Sequence, residues 1–198
     1  MSCINKSELV LRQHFRLLWN QHAEWTRMAI NAIVFASPSE DAEVNRLLQN
    51  PIDLGVALDR FYGEEVAYQF TSLLTTHLQL AAKMIKAMLA GHQAEAETAK
   101  RSWYKNGNEI AQFLSHVTPC YSYAEWREMF FTHLRYVESL ATTLLEGRYE
   151  ANVEVYDLLE LEALKMADMM SRCLIMRFPR LFRSGGRPVR KVRHCVDE

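Results

Sequence analysis

Leu73-Leu74-Thr75-Thr76-His77-Leu78-Gln79-Leu80-Ala81 sets one histidine among apolar residues. Around it Phe70, Leu74, His77, Ala81, Met84 and Met88 recur at alternating intervals of four and three, which is one face of an α-helix. The stretch returns as Phe130-Phe131-Thr132-His133-Leu134-Arg135-Tyr136-Val137. A looser copy is Leu18-Trp19-Asn20-Gln21-His22-Ala23-Glu24-Trp25. Three helices are predicted, each with a histidine on its apolar stripe.

Working outward, the apolar period predicts long helices over 7–36, 64–90, 93–115, 123–146 and 149–177. Ser37-x-x-Glu40 and Ser122-x-x-Glu125 read as capping boxes, in which a serine hydroxyl and a glutamate satisfy the first free N–H groups of a helix. Asn50-Pro51 predicts a break, because proline lacks an N–H donor and clashes with the preceding turn. Two short helices are therefore expected around Pro51. Phe61-Tyr62-Gly63, Gly91 and Gly147 mark corners. Adding 56 carries Thr76-His77-Leu78 onto Thr132-His133-Leu134 and Gly91 onto Gly147, and a shift of 55 carries His22 onto His77. This internal repeat predicts an all-α, up-and-down bundle of three helical hairpins, five long helices plus the short ones around Pro51.

The chain has 198 residues, 49% hydrophobic and 24% charged, with only 7 Gly and 5 Pro. That suits one helical domain, taken as residues 1–178. The net charge of −1 conceals an asymmetry: from Arg177 onward the chain carries seven Lys/Arg and two acids, so the preceding body is mildly acidic. Residues 179–198, with Ser184-Gly185-Gly186-Arg187-Pro188 and no periodicity, read as a basic disordered tail. The body offers no broad basic footprint for nucleic acid. Cys3, Cys120, Cys173 and Cys195 form no CxxC and no close pair, which predicts reduced thiols. No charged start leads into an apolar run, and Ala29–Ala36 is too short to span a bilayer and contains Asn31. A soluble, cytoplasmic protein is the expectation.

Counting from the corners aligns the polar residues. His77 lies 14 residues before Gly91 and Asn106 lies 15 after it; His133 and Glu162 stand in the same relation to Gly147. Equal distance from a hairpin turn means equal height. His22, 15 before Ser37, joins them, and Pro51, 14 after Ser37, reaches the same level, where a broken helix would leave room for water. His22, His77, His133, Asn106 and Glu162 are thus expected at one level of the interior. Trp25, Ala81, Trp103, Val137 and Leu158 flank them on one side; Leu18, Leu74, Phe130, Ile110 and Met166 on the other. Burial should keep the imidazoles neutral. Three imidazoles, a carboxylate and an amide make a candidate shell for Fe, Mn, Zn or Ni. A single histidine on an apolar face is more often a hydrogen-bonded core residue than a ligand. No Glu-x-x-His, His-x-x-x-His or His-Glu-x-x-His occurs, which disfavours the usual carboxylate-bridged di-iron site.

Other features are weaker. Arg27 and Asp168 lie near the seams, where interhelical or surface pairing is common. No glycine-rich phosphate loop is present, so no nucleotide is expected. Leu18-Trp19-x-x-His22-x-x-Trp25-Thr26-Arg27, Arg46-Leu47-Leu48-x-Asn50-Pro51-x-Asp53, Tyr62-Gly63, Trp103-Tyr104-x-Asn106, Glu109-Ile110-Ala111-x-Phe113-Leu114 and Glu162-Ala163-Leu164-Lys165-Met166-Ala167-Asp168 together resemble a bacterial family of small all-helical proteins without an assigned function. The resemblance covers about residues 8–178. Members of that family are at times labelled acetylglutamate kinase. The residues give that label no support, since amino-acid kinases are α/β proteins with glycine-rich nucleotide loops. The resemblance supplies no catalytic residues, and the extended basic C-terminus departs from it.

Three functions remain open from the residues: a buried His/Asn/Glu site for a metal ion or small ligand, with reaction unknown; a non-enzymatic structural or interaction protein, a homodimer among the candidates, whose polar layer sets helix register; and binding of nucleic acid or anionic membrane through the tail.

Overall fold

The computed structural model describes residues 6–182. Six helices fill them: α1 (Lys6–Val34), α2 (Glu40–Tyr62), α3 (Glu64–Leu89), α4 (Gln93–Val117), α5 (Tyr123–Leu145) and α6 (Tyr149–Arg177). A short 3-10 turn, Pro179–Leu181, follows. No strand occurs among the described residues. The bundle is all-α, with three antiparallel hairpins, α1/α2, α3/α4 and α5/α6. Each helix packs on the next, and α6 returns against α1, so the six close into a ring. α1 also touches α3 and α5, which draws it toward the middle.

The three turns share one hydrogen-bond pattern. After α3, the N–H of His92 donates to the Ala87 carbonyl at 2.9 Å; after α5, Arg148 donates to Thr143 at 2.8 Å; after α1, Ser37 donates to Ala32 at 2.9 Å. In each the residue before the donor has positive φ: Gly91 at 71°, Gly147 at 70° and Ala36 at 49°. This is the six-to-one closure that ends many helices and needs a left-handed residue, which glycine adopts freely and alanine does not. The first hairpin makes the same turn with the less suitable residue.

Two helix starts differ in how they are capped. Ser122 accepts from the Glu125 N–H at 3.4 Å, half of the expected capping box. At α2 the expected Ser37/Glu40 box is not what starts the helix. Ser39 precedes the first turn and its hydroxyl donates to the Glu43 carboxylate at 2.8 Å. Glu40, Asp41 and Glu43 then place negative charge at the positive end of the helix dipole.

The break expected at Asn50-Pro51 is absent. α2 runs unbroken for 23 residues with Pro51 inside it. An interior proline forfeits one helical bond and costs about 3 kcal/mol in isolation. Here it is buried, and its carbonyl accepts from the Thr71 hydroxyl of α3 at 3.2 Å. Gly55, one turn on, lies so close to α3 that an added Cβ would fall 2.1 Å from the Thr71 hydroxyl. Tertiary packing against α3 therefore holds this helix through a residue that would end it alone.

One core joins all six helices, including Phe15, Trp19, Phe70, Trp103, Trp126, Phe130 and Met166. Burying each such side chain stabilises by about 1.5–3 kcal/mol. Leu158, expected inside, is 47% exposed, and Leu159 is buried in its place. α6 is rich in leucine on several faces, so its apolar period does not single out one stripe. Cys120, in the loop before α5, and Cys173 of α6 form a disulfide, which corrects the expectation of free thiols. Their 53-residue separation looks remote, yet Cys120 lies 27 residues before Gly147 and Cys173 lies 26 after it, so the corner count sets them level. The bond also removes one ground for a cytoplasmic location. The expected tail does not begin at 179: Phe182 is buried and stacks on Phe61 with ring centroids 6.4 Å apart. The rest of the expected tail lies outside the described residues. No described helix is long and apolar enough to cross a membrane.

Candidate functional site

α3 and α4 present His77 and Asn106 to each other because each lies on its helix's apolar face at the same height above Gly91. The Asn106 amide nitrogen donates to the Leu73 carbonyl at 3.2 Å. Its oxygen therefore faces His77, and the ring donates from Nδ1 to that oxygen at 2.8 Å. The opposite nitrogen, Nε2, accepts from the Trp103 indole N–H at 3.0 Å. Both nitrogens of His77 are thus used, and the two bonds fix one neutral tautomer.

α1 and α2 repeat the arrangement. The Asn50 amide donates to the Leu18 carbonyl at 2.8 Å, and His22 donates from Nδ1 to the Asn50 oxygen at 3.0 Å. In both hairpins the accepting carbonyl belongs to the residue four before the histidine. Asn50, not Pro51, fills the level in the first hairpin. A shift of 56 back from Asn106 lands on Asn50 and was the available signal. The first hairpin is one residue shorter between its partners, so counting from the turn arrives one position late. Trp103, expected in the neighbouring apolar layer, lies three residues before Asn106 on the same helix face and reaches His77.

The third hairpin departs from the pattern. His133 of α5 is as buried as the other two histidines, each 2% exposed, and its Nδ1 has no partner among the described residues. Glu162 of α6 occupies the position of the asparagines. Its side chain is buried too, but its carboxylate pairs at 3.3 Å with Lys165 of its own helix. His133 instead lies beside His22, ring centroids 5.3 Å apart. Trp19 meets His22 edge-on at 5.6 Å and tilts against Trp126 at 6.4 Å. The structure therefore gathers His22, His77, His133 and Asn106, adds Asn50 and Trp103, and directs Glu162 elsewhere.

Burial pushes the imidazoles of His22, His77 and His133 below their ordinary value of 6.5, since a charged ring would lose its water. His22 falls to about 4 despite the opposing bond to Asn50, and His77 to about 3. His133 is also well below, from burial first and then from neighbouring His22 and His77. All three rings are neutral at neutral pH.

Neutral imidazole is the form that binds metal, and two of the five expected donors are engaged elsewhere. His77 has no free lone pair. Glu162 is engaged with Lys165. Among the described residues no group of three or more His, Cys, Asp or Glu side chains is placed to hold a metal. The lesser candidates settle on the surface: Asp168 takes both forks of Arg16 at 2.8 Å, and Arg27 lies 4.4 Å over the Tyr156 ring. Comparison with known proteins found no matching family model, no matching curated protein and no matching solved structure.

Proposed function

We propose that this chain is a non-enzymatic structural or interaction protein, and that its buried layer fixes the register of the hairpins. The observation that supports this most is His77. Asn106 and Trp103 occupy both of its nitrogens, so the ring serves as a joint between α3 and α4 rather than as a ligand. The equivalent joint at His22 and Asn50 supports reading the hairpins as copies of one unit. A mispaired helix would strand several buried polar groups, each costing about 1–3 kcal/mol. That penalty disfavours alternative registers even where it adds little net stability.

A second reading, a metal ion held beside the third hairpin, draws on one observation: the unpartnered Nδ1 of His133 next to His22.

The readings separate in one experiment. The full chain is titrated with Zn, Fe, Mn and Ni salts while unfolding is followed. A register layer predicts no stoichiometric uptake and an unchanged melting temperature with each metal. Uptake of one equivalent with a raised melting temperature, lost on His133→Leu, would instead favour a ligand site.

A further inference from the structure

α6 buries one face in the ring, between α1 and α5, and leaves leucines on the other. Leu158 is 47% and Leu161 56% exposed, and Leu164 beyond them is half-buried. They line one groove together with Tyr136 of α5 and the Arg16–Asp168 pair. Leucines exposed singly are ordinary, but adjoining ones at i, i+3 and i+6 make an apolar patch.

The charges along this face are sorted by sign. Glu150, Glu154 and Asp157 precede Leu161, and Lys165 and Arg172 follow it; all five are exposed. At 3.6 residues per turn each stands within about 40° of Leu161 around the helix. A helix that is acidic before its leucines and basic after them complements a reversed copy of itself. In an antiparallel two-fold pair centred on Leu161, that residue meets itself and Leu158 meets Leu164. Asp157 then meets Lys165, and Glu150 meets Arg172, because each is as far before Leu161 as the other is after it. Lys165 also pairs with Glu162 of its own helix, but its side chain is 70% exposed and an ammonium has further donors to offer. The one meeting of like charge is Glu154 with Asp168. There Arg16 supplies a cation, holding Asp168 at 2.8 Å with two of its five N–H donors. A parallel pair would instead set acid on acid and cation on cation. A slip of one heptad would lay Leu161 on Glu154 or on Asp168.

We propose that α6 pairs with α6 of a second copy of this chain, antiparallel about Leu161, to form a homodimer. The contact runs from Glu150 to Arg172, about 33 Å of helix. This names the partner for the interaction protein proposed above and rests on that reading. The histidine layer takes no part in the contact, so the dimer and the layer fail separately, one in oligomeric state and the other in metal uptake.

The test is sedimentation equilibrium of the full chain over about 1–500 μM, because a single helix pair is a small interface that dissociates on dilution. Accessible thiols are alkylated first, which excludes disulfide-linked pairs. The mass should rise with concentration from the 23.0 kDa of one chain to twice that. Leu161→Glu, which sets two carboxylates against each other on the axis, should leave a monomer of unchanged helicity, since the side chain is largely exposed. Glu150→Lys and Arg172→Glu should each weaken the dimer by about 3- to 30-fold, as each reversal acts twice across the axis. The two reversals combined should restore it, because the cation and the acid have only changed places. A chain that stays monomeric throughout overturns the proposal and leaves the leucine face to a partner of another kind. A dimer that survives Leu161→Glu overturns the face. Single reversals without effect, or a combined variant as weak as the single ones, overturn the antiparallel register.

Discussion

The second and third hairpins place a histidine and a polar partner at the same height, yet only one of them makes the joint. In α3/α4 the partner is Asn106, and its short amide can accept from His77 while donating to Leu73. In α5/α6 the partner is Glu162, which when ionised has no N–H to give the backbone and has a cation three residues away in Lys165. The result is a saturated histidine in one hairpin and a bare nitrogen in the other. Burial is equal in the two, so depth alone does not decide what a buried histidine does. The hydrogen-bonding inventory of the facing residue decides it.

Acid should test this difference most severely. In the unfolded chain the histidines titrate near 6.5, whereas folded His22 holds near 4 and His77 near 3. Below 6.5 the unfolded chain takes up protons that the folded one refuses. Stability is thus full above 6.5 and is lost as pH falls toward the folded values. Once the unfolded ring is protonated each histidine contributes a loss of about 1.4 kcal/mol per pH unit, so His22 and His77 together cost about 3 kcal/mol between pH 6.5 and 5. His133 adds a loss of the same sign. Urea unfolding across this range should show the fall. His133→Leu should soften it with little change at neutral pH, because no protein hydrogen bond is removed. His77→Leu should soften it too, but at a cost of about 2–4 kcal/mol at neutral pH, since Asn106 and Trp103 lose their partner. Flat stability down to pH 5 would contradict the neutral, buried assignment of all three rings.

A smaller effect separates the facing residues. Asn106→Leu keeps the approximate volume but strands His77 Nδ1, and should cost about 2–3 kcal/mol, lowering the melting temperature by roughly 5–10 °C. Glu162→Gln touches only a pairing with a largely exposed lysine and should change stability by less than about 1 kcal/mol. Equal losses in the two variants would mean that Glu162 supports the layer in a way its contact with Lys165 does not reveal.

Much of this is legible in the sequence. The apolar period located the long helices, and the glycine corners put His77 level with Asn106. What escaped has a common physical cause, in that it arises only when helices meet. Pro51 reads as a break because an isolated helix would break there; α3 packs close enough to carry it. Asn50 stayed hidden behind that break. The Cys120–Cys173 bond is the exception: the α5/α6 hairpin alone brings the two level, so the corner count about Gly147 could have found it. Glu162 was set at the right height, but height does not tell where a flexible carboxylate points. Lys165, three residues on, was the local cue that it had a nearer partner.

The smallest expected change is a gain. Glu162→Asn would give the third hairpin the residue that the other two use. The amide oxygen would accept from His133 Nδ1, and the nitrogen would face the carbonyl of Met129, four residues before His133 as Leu18 and Leu73 are before theirs. One buried nitrogen gains a partner, and a pairing with a largely exposed lysine is lost. The net should be a rise of about 1 kcal/mol, or roughly 2–4 °C in melting temperature. Imidazole ¹⁵N shifts should report an N–H at His133 Nδ1, as at His77. The control is His133→Leu combined with Glu162→Asn, in which the gain should vanish because the asparagine has nothing to accept from. A gain that persists in the control would mean that relief of the Glu162 carboxylate, not a third histidine–asparagine joint, stabilises the variant. A loss in the single variant would mean that the third hairpin sits too far apart for the short amide, and that its glutamate is there to span a gap the other two hairpins do not have.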